Sequence, residues 1–144
     1  MTNQDDEIGT DEYVYRRVLN KQDIIDLSLR SPLQRSAFRP TNNDVDGISV
    51  FREKFTSPEA LISAGQSPLG YHVVRLPVKE ILEAGLTIIT DPQDNQLPGH
   101  ALIPDITIQE YDNPQGKNLS KIKQKKLSDI VNKDKGSRVI LSKD

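Results

Sequence analysis

The sequence predicts a small α+β protein in which a mixed or antiparallel sheet is combined with short helices. Short apolar segments rich in Val, Ile and Tyr, which favour strands, alternate with turns that contain Gly or Pro. Residues 71–89 read as a strand, a helix and a strand, and this helix is too short for a parallel crossover. A length of 144 residues fits one domain with one core.

The first strand is predicted at residues 13–19, where Tyr and Val recur. Residues 33–46 are polar and predict a loop, although the aromatic ring of Phe38 within it needs burial. Gly47 follows Asp46 and predicts a tight turn, because glycine adopts positive φ at low cost. A second strand is expected directly after this turn.

The clearest local signal is the start of a helix at Ser57. Ser57 is suited to cap the helix, Pro58 fits its first position, and Glu59 favours its positive end. Gly65 is expected to end the helix. The remaining predictions are strands at 70–76, 86–90, 100–103, 106–108 and 139–141, a short helix between Pro77 and Gly85, and a helix at 118–131.

Charge separates the chain into three predicted parts. Residues 1–12 carry five acidic and no basic side chains, so we predict a disordered acidic tail. Residues 13–116 are predicted to be a single α+β domain. Residues 117–144 contain most of the lysines of the second half and are predicted to form a basic C-terminal helix or tail. The net charge of −2 is the sum of these opposed ends.

Several function classes are excluded or disfavoured by composition. The chain has no cysteine, which excludes disulfides, thiolate metal sites and cysteine nucleophiles. No segment approaches the roughly 20 apolar residues that a membrane-spanning helix needs, and the N-terminus has no signal-like pattern. A cytoplasmic protein without membrane contact is therefore expected. His72 and His100 have no metal-ligand spacing, and no Gly-rich phosphate loop is present, so neither a metal nor a cofactor is expected.

The candidate ligand-binding residues are polar groups around the Asp46-Gly47 turn and a histidine that begins a strand; they are Arg35, Arg39, Asp46, Ser49 and His100. Arginine offers a planar fork of donors that suits phosphate or carboxylate. We hypothesise that Arg39, Ser49 and His100 converge on one pocket for an anionic group. The competing interpretation is a surface loop in which these residues are unrelated.

Two resemblances bear on function. The segments R-S-A-F at 35–38, D-G-I-S-V at 46–50, D-P at 91–92 and H-A-L-I at 100–103 resemble a pattern in small uncharacterised bacterial proteins, which implies a bacterial domain. The early Tyr15-Arg16 and the Ser57 helix start resemble RES and ADP-ribosyltransferase-like folds. This second resemblance implies NAD chemistry, and the alternative enzyme that we consider would consume NAD or transfer ADP-ribose with Arg16, Ser49 and His100. The late glutamate of those folds has no match, since Glu110 lacks the surrounding motif.

The sequence favours a small cytoplasmic bacterial binding module that acts with a protein partner, because no catalytic motif assigns a reaction. The NAD-consuming enzyme is kept as the alternative. A third interpretation is a nucleic-acid-associated protein that uses the lysines at 121–126. It is not favoured, because no aromatic residues are interleaved with these lysines for base stacking, and the same segment fits an amphipathic helix.

Overall fold

The protein is an open antiparallel sheet with helices on both faces. The computed structural model describes residues 3–4, 6–93 and 97–141. The strands are β1 (Tyr13–Leu19), β2 (Ile48–Arg52), β3 (Tyr71–Pro77), β4 (Ile89–Thr90), β5 (His100–Ile103) and β6 (Val139–Ile140). In the described residues they form one sheet in the order β4-β5-β2-β1-β3-β6, and every pairing is antiparallel. The predicted α+β class is confirmed. Of the two predicted sheet types, mixed and antiparallel, the described strands form the antiparallel one.

The helices are short, with one exception. They are α1 (Pro58–Ala64), α2 (Val78–Glu83), α3 (Ile108–Asp112), α4 (Lys117–Asn132) and α5 (Lys135–Arg138), with 3-10 helices at Arg35–Phe38 and Glu53–Phe55. None of the helices in the described ranges is both long and apolar enough to cross a bilayer.

One local prediction is wrong, and another is right only in part. The segment 106–108 was expected to be a strand, but Thr107 caps α3 by accepting a hydrogen bond from the Glu110 N–H at 3.3 Å. Ile106 is fully buried, so its apolar character reflects a core position and not a strand. The predicted loop at 33–46 contains the 3-10 helix Arg35–Phe38, which carries the ring of Phe38 into the core, where it is 0% exposed. Its predicted burial is confirmed.

The predicted start of α1 is confirmed. Ser57 has extended backbone geometry, and its hydroxyl oxygen accepts a hydrogen bond from the Ala60 N–H at 3.1 Å. Replacing Ser57 by alanine should therefore lower the free energy of unfolding by about 1 kcal/mol, measured by chemical denaturation. Ser63→Ala is the matched control, because Ser63 is exposed inside the same helix and alanine is the better helix former. Equal stability of the two variants would contradict the cap.

The two faces of the sheet are covered differently. One face packs against α2, α4 and the 3-10 helix around Phe38, in a large apolar cluster to which α4 contributes Leu127, Ile130 and Val131. The Lys-rich helix is thus packed onto the sheet domain and shares its core. The other face carries a smaller cluster that includes Phe51 and Leu61, and α1 covers it in part. This second face leaves room beside β1 and β2.

The described residues of the acidic N-terminal segment lie against β2. Arg52 is 0% exposed, and its guanidinium donates to both carboxylate oxygens of Glu12 at 2.9 and 2.8 Å. It also donates to the carbonyl oxygens of Gln4 at 3.0 Å and Asp6 at 2.8 Å. The segment therefore supplies acceptors that the buried cation needs. The predicted disorder also concerns residues 1, 2 and 5, which lie outside the described residues.

Candidate functional site

A cleft opens where β1 and β2 separate. The two strands share two ladder pairs, in which β2 residues Arg52 and Phe51 lie opposite the first half of β1. Continuing this register would place Arg17 opposite Ser49. Instead, the Arg16 guanidinium donates from Nη1 to the Ser49 carbonyl oxygen at 2.8 Å and from Nε to the Ala37 carbonyl oxygen at 2.9 Å. A side chain thus replaces the strand-to-strand hydrogen bonds, and the gap it spans is the origin of the cleft.

The cleft consists of two adjoining open cavities of about 480 and 600 Å³. Both are lined by Arg17, Asp44 and Ser49, and the first is lined in addition by Arg16 and Arg39. We call this region, defined by these five residues, the arginine cleft. Neighbouring residues on β1 normally point to opposite faces of a sheet. Both Arg16 and Arg17 reach the cleft because it lies in the gap between strands.

The arginine cleft is electropositive. Among the described residues that line the two cavities, Asp44 carries the one carboxylate against three guanidinium groups. Burial lowers the pKa of Arg16 to about 10, and nearby Arg17 acts in the same direction, whereas the Asp44 carboxylate opposes the shift. Arg16 therefore stays protonated at neutral pH. Arg17 is held by a hydrogen bond from Nη1 to the Leu61 carbonyl oxygen at 2.9 Å.

A hydrogen-bonded chain ends at the floor of this cleft. His100 is buried, and its Nε2 lies 2.9 Å from Ser49 Oγ. Its Nδ1 lies 2.8 Å from the Asp91 carbonyl oxygen and 3.1 Å from Asp91 Oδ2. Because a carbonyl oxygen only accepts, Nδ1 carries the proton of the neutral imidazole. Nε2 is then an acceptor, and the Ser49 hydroxyl donates its proton to it.

Strand register positions the three members of this chain. β2 and β5 pair Phe51 directly with His100, and their rings meet edge to face with centroids 5.3 Å apart. Ser49 lies two residues before Phe51, so its side chain is on the same face and diagonal to His100. β4 and β5 form a hairpin in which the next residue after Thr90, Asp91, donates its N–H to the His100 carbonyl oxygen at 3.0 Å.

The structure brings together several residues that the sequence singled out. Ser49 and His100 are in direct contact, and Arg16 is bonded to the backbone of Ser49. Arg39 lines the same cavity as Ser49, with its guanidinium over the Tyr111 ring at 5.2 Å. Arg16, Arg39 and Ser49 therefore share one cavity, whereas His100 is bonded to Ser49 but lines neither cavity of the cleft.

Two candidate residues lie elsewhere. Arg35 donates to the Gln124 side-chain oxygen at 3.3 Å and borders a different cavity, beside α4. Asp46 is exposed in the turn before β2, where Gly47 has a φ of +139°. A Cβ at Gly47 would lie 2.6 Å from the Ile103 carbonyl oxygen, so this turn needs glycine. Asp46-Gly47 therefore shapes the entry to β2 and does not line the cleft.

The sequence did not identify Arg17, Asp44 or Asp91 as members of a site. A usable signal existed for Asp91: pairing residues 86–90 with 100–103 as a hairpin places residue 91 opposite His100. Arg17 and Asp44 carried no comparable signal, since their approach depends on the separation of β1 and β2. In the described part of the chain, no three His, Asp or Glu side chains are grouped closely enough to hold a metal ion.

Comparison with known proteins identifies no relative. No family model, curated protein or solved structure matches the chain. The two resemblances described from the sequence stay predictions, and the function of the arginine cleft has to be argued from its own geometry.

Proposed function

We propose that this protein is a binding module that holds an anionic group, a phosphate or a carboxylate, in the arginine cleft. The observation that carries the proposal is that Arg16, Arg17 and Arg39 line adjoining cavities, in which Asp44 carries the one carboxylate among the described lining residues. Guanidinium groups bind such oxyanions through paired, charge-assisted hydrogen bonds. The donors are these guanidinium groups, whereas the Ser49 hydroxyl is engaged with His100 Nε2 at 2.9 Å.

The shape of the cleft supports a protein partner. The cavities are open to solvent along the gap between β1 and β2, so they are accessible to an acidic or phosphorylated side chain of another protein. Arg39 is exposed at the rim of the cleft and is placed to meet the partner first. A cytoplasmic location and a bacterial source belong to this proposal as expectations from the sequence.

Replacing Arg39 by alanine should weaken binding of inorganic phosphate about tenfold, because a hydrogen bond to a charged group contributes about 1.5–3 kcal/mol. Isothermal titration calorimetry with phosphate and with succinate measures this loss directly. Arg30→Ala is the matched control: Arg30 is also an exposed arginine, but it does not line the cleft.

Three results would decide against the proposal. One is the absence of a binding isotherm for either anion at low salt. A second is equal affinity of the Arg39 and Arg30 variants. A third is affinity that does not fall with added salt, since screening should weaken contacts at an open cleft.

A second candidate is an enzyme that consumes NAD or transfers ADP-ribose. The observation that favours it is that Arg16 and His100, two of the three residues of the alternative enzyme site, both bond to the third, Ser49. Glu110 gives it no support, since this carboxylate is paired with Lys123 at 2.9 Å and does not line the cleft. Release of nicotinamide from NAD, followed by chromatography, would favour this candidate over simple binding.

The nucleic-acid interpretation has weaker support from the surface of α4. Several of the basic side chains on and after this helix have acidic partners within the protein: Lys123 with Glu110, Lys125 with Asp129, and Lys133 and Arg138 with Glu80. Lys126 donates to the Ala84 carbonyl oxygen at 3.1 Å. Positive charge that is already paired contributes less to phosphate binding, so the arginine cleft is the better candidate for an anion site.

A further inference from the structure

We propose that Ser49 is the nucleophile of an acyl-transfer site, and that the protein hydrolyses carboxylic esters that carry an anionic group. The choice of an anionic ester rests on the proposed function, since the arginine cleft would hold the charged end of the substrate. The nucleophile itself is inferred independently, from the chain of hydrogen bonds that joins Ser49, His100 and Asp91.

The chain has the order that activates a serine hydroxyl. Oγ of Ser49 donates to Nε2 of His100 at 2.9 Å, which is the distance over which a general base takes a proton. Asp91 holds Nδ1 from the other side through its carbonyl oxygen at 2.8 Å and its Oδ2 at 3.1 Å. A nucleophile, a base in contact with it and a third group that orients the base are the three parts of a serine triad.

Exposure of the three members also fits this role. His100 is 4% exposed, and both of its ring nitrogens are held by Ser49 and Asp91. Ser49 is half-buried and lines both cavities of the arginine cleft, so its hydroxyl oxygen can be reached by a substrate.

The first half of the reaction forms an acyl-enzyme. Ser49 Oγ adds to the ester carbonyl carbon while its proton passes to His100 Nε2, which gives a tetrahedral oxyanion and an imidazolium. The bond from this carbon to the alcohol oxygen then breaks, and the leaving alcohol takes the proton from Nε2. Asp91 stabilises the imidazolium as a positioning residue and does not take the proton itself.

Water completes the reaction. A water oxygen adds to the acyl carbon and gives a proton to Nε2, and the bond from the carbon to Ser49 Oγ breaks as Oγ regains that proton. The net change is ester plus water to carboxylic acid plus alcohol, with no oxidation or reduction. Arg16 and Arg17 line the same cavity as Ser49, and their positive charge favours both tetrahedral oxyanions.

The test of the nucleophile is covalent labelling of the full chain with a fluorophosphonate. Ser49 Oγ would displace fluoride from phosphorus and lose its proton to His100, which leaves a stable phosphonylated serine. We expect one adduct per chain by intact mass, mapped by peptide sequencing to Ser49. Ser49→Ala should abolish the adduct, and His100→Gln should slow labelling at least 100-fold, within the usual effect of a general base.

Ser36→Ala is the matched serine control for labelling. Ser36 lies in the 3-10 helix beside the cleft, but its hydroxyl donates to the Asp23 carbonyl oxygen at 2.8 Å. This variant should label at the wild-type rate. If Ser49→Ala fails to fold by circular dichroism, the peptide that carries the adduct in the wild-type chain still decides the assignment. No adduct, or an adduct on another residue, would overturn the inference.

Ester hydrolysis tests the substrate class and separates the two proposals. We expect 4-nitrophenyl hemisuccinate to be preferred about tenfold over 4-nitrophenyl butyrate in kcat/KM, and Arg39→Ala to remove this preference. Asp91→Asn should lower kcat with little change in KM, which a purely structural role would not produce. Phosphate binding without labelling would refute the nucleophile and leave the binding function standing. Labelling without phosphate binding or ester preference would refute the anionic ligand and leave the nucleophile standing.

Discussion

Replacing Glu12 by alanine should lower the free energy of unfolding by about 3–5 kcal/mol, because it leaves the buried cation of Arg52 without its counter-ion. Glu12 is the one carboxylate that Arg52 contacts in the described residues, through two hydrogen bonds at 2.9 and 2.8 Å. The side chain of Arg52 is 0% exposed and that of Glu12 is 10% exposed, so the pair is largely shielded from water. Chemical denaturation of the full chain measures the loss.

Asp11→Ala is the control for this experiment. Asp11 is exposed, and its replacement removes the same charge one residue away from Glu12. A double variant, Glu12→Leu with Arg52→Met, tests the physical reason. Apolar replacement of both members of a buried pair is often neutral or stabilising. If the single Glu12 variant is no less stable than the Asp11 variant, the pair does not anchor the segment.

Acid should weaken the same contact. Burial raises the pKa of Glu12. The hydrogen bond and charge of Arg52, together with the Gly9 N–H, lower this pKa by a larger amount, so the net pKa lies below the ordinary 4.5. A carboxyl with a lowered pKa stabilises the folded state fully above its unfolded pKa. This contribution is lost as the pH falls through the folded value, and it should be missing at every pH in the Glu12→Ala variant.

The second large effect is expected at Phe38. Phe38→Ala should lower the free energy of unfolding by about 3–5 kcal/mol, because the ring is 0% exposed and its removal leaves a cavity in the main core. The guanidinium of Arg16 lies over this ring at 5.8 Å, so phosphate affinity should fall as well. Phe38→Leu keeps most of the apolar volume and should cost less in both measurements. An unchanged denaturation midpoint for Phe38→Ala would contradict the observed burial.

Local signals explain why much of the fold could be predicted. Residues with strong strand or helix-start preferences, which act within a few positions, mark three of the elements. These are Tyr13–Leu19, the helix start at Ser57-Pro58, and His100–Ile103. The strand expected at 106–108 failed because three apolar or β-branched residues in a row do not distinguish a strand from a buried helix entrance. There, the cap made by Thr107 decided the structure.

The candidate site was predictable only in part, because it depends on how strands pair. Ser49 and His100 were singled out from their positions beside turns, and their contact follows from the register of β2 against β5. Asp91 required the β4–β5 register as well. The role of Arg17 could not be derived from strand periodicity, since a regular pairing of β1 with β2 would have separated it from Arg16.

The anchoring of the N-terminal segment has a consequence for how its sequence can change. Arg52 contacts Gln4, Asp6 and Glu7 through their backbone carbonyl oxygens, which all amino acids possess. Side chains at these positions can therefore be substituted without loss of the backbone contacts to Arg52. The number of residues between residue 7 and Glu12 is constrained, because a deletion there would move the carbonyl oxygens away from the Arg52 guanidinium. The contacts to Arg52 should therefore tolerate substitution at Glu7, whereas Gln4, whose side-chain oxygen accepts the Gly99 N–H at 2.9 Å, and Glu12 are constrained by their side chains. The segment as a whole should resist changes in length.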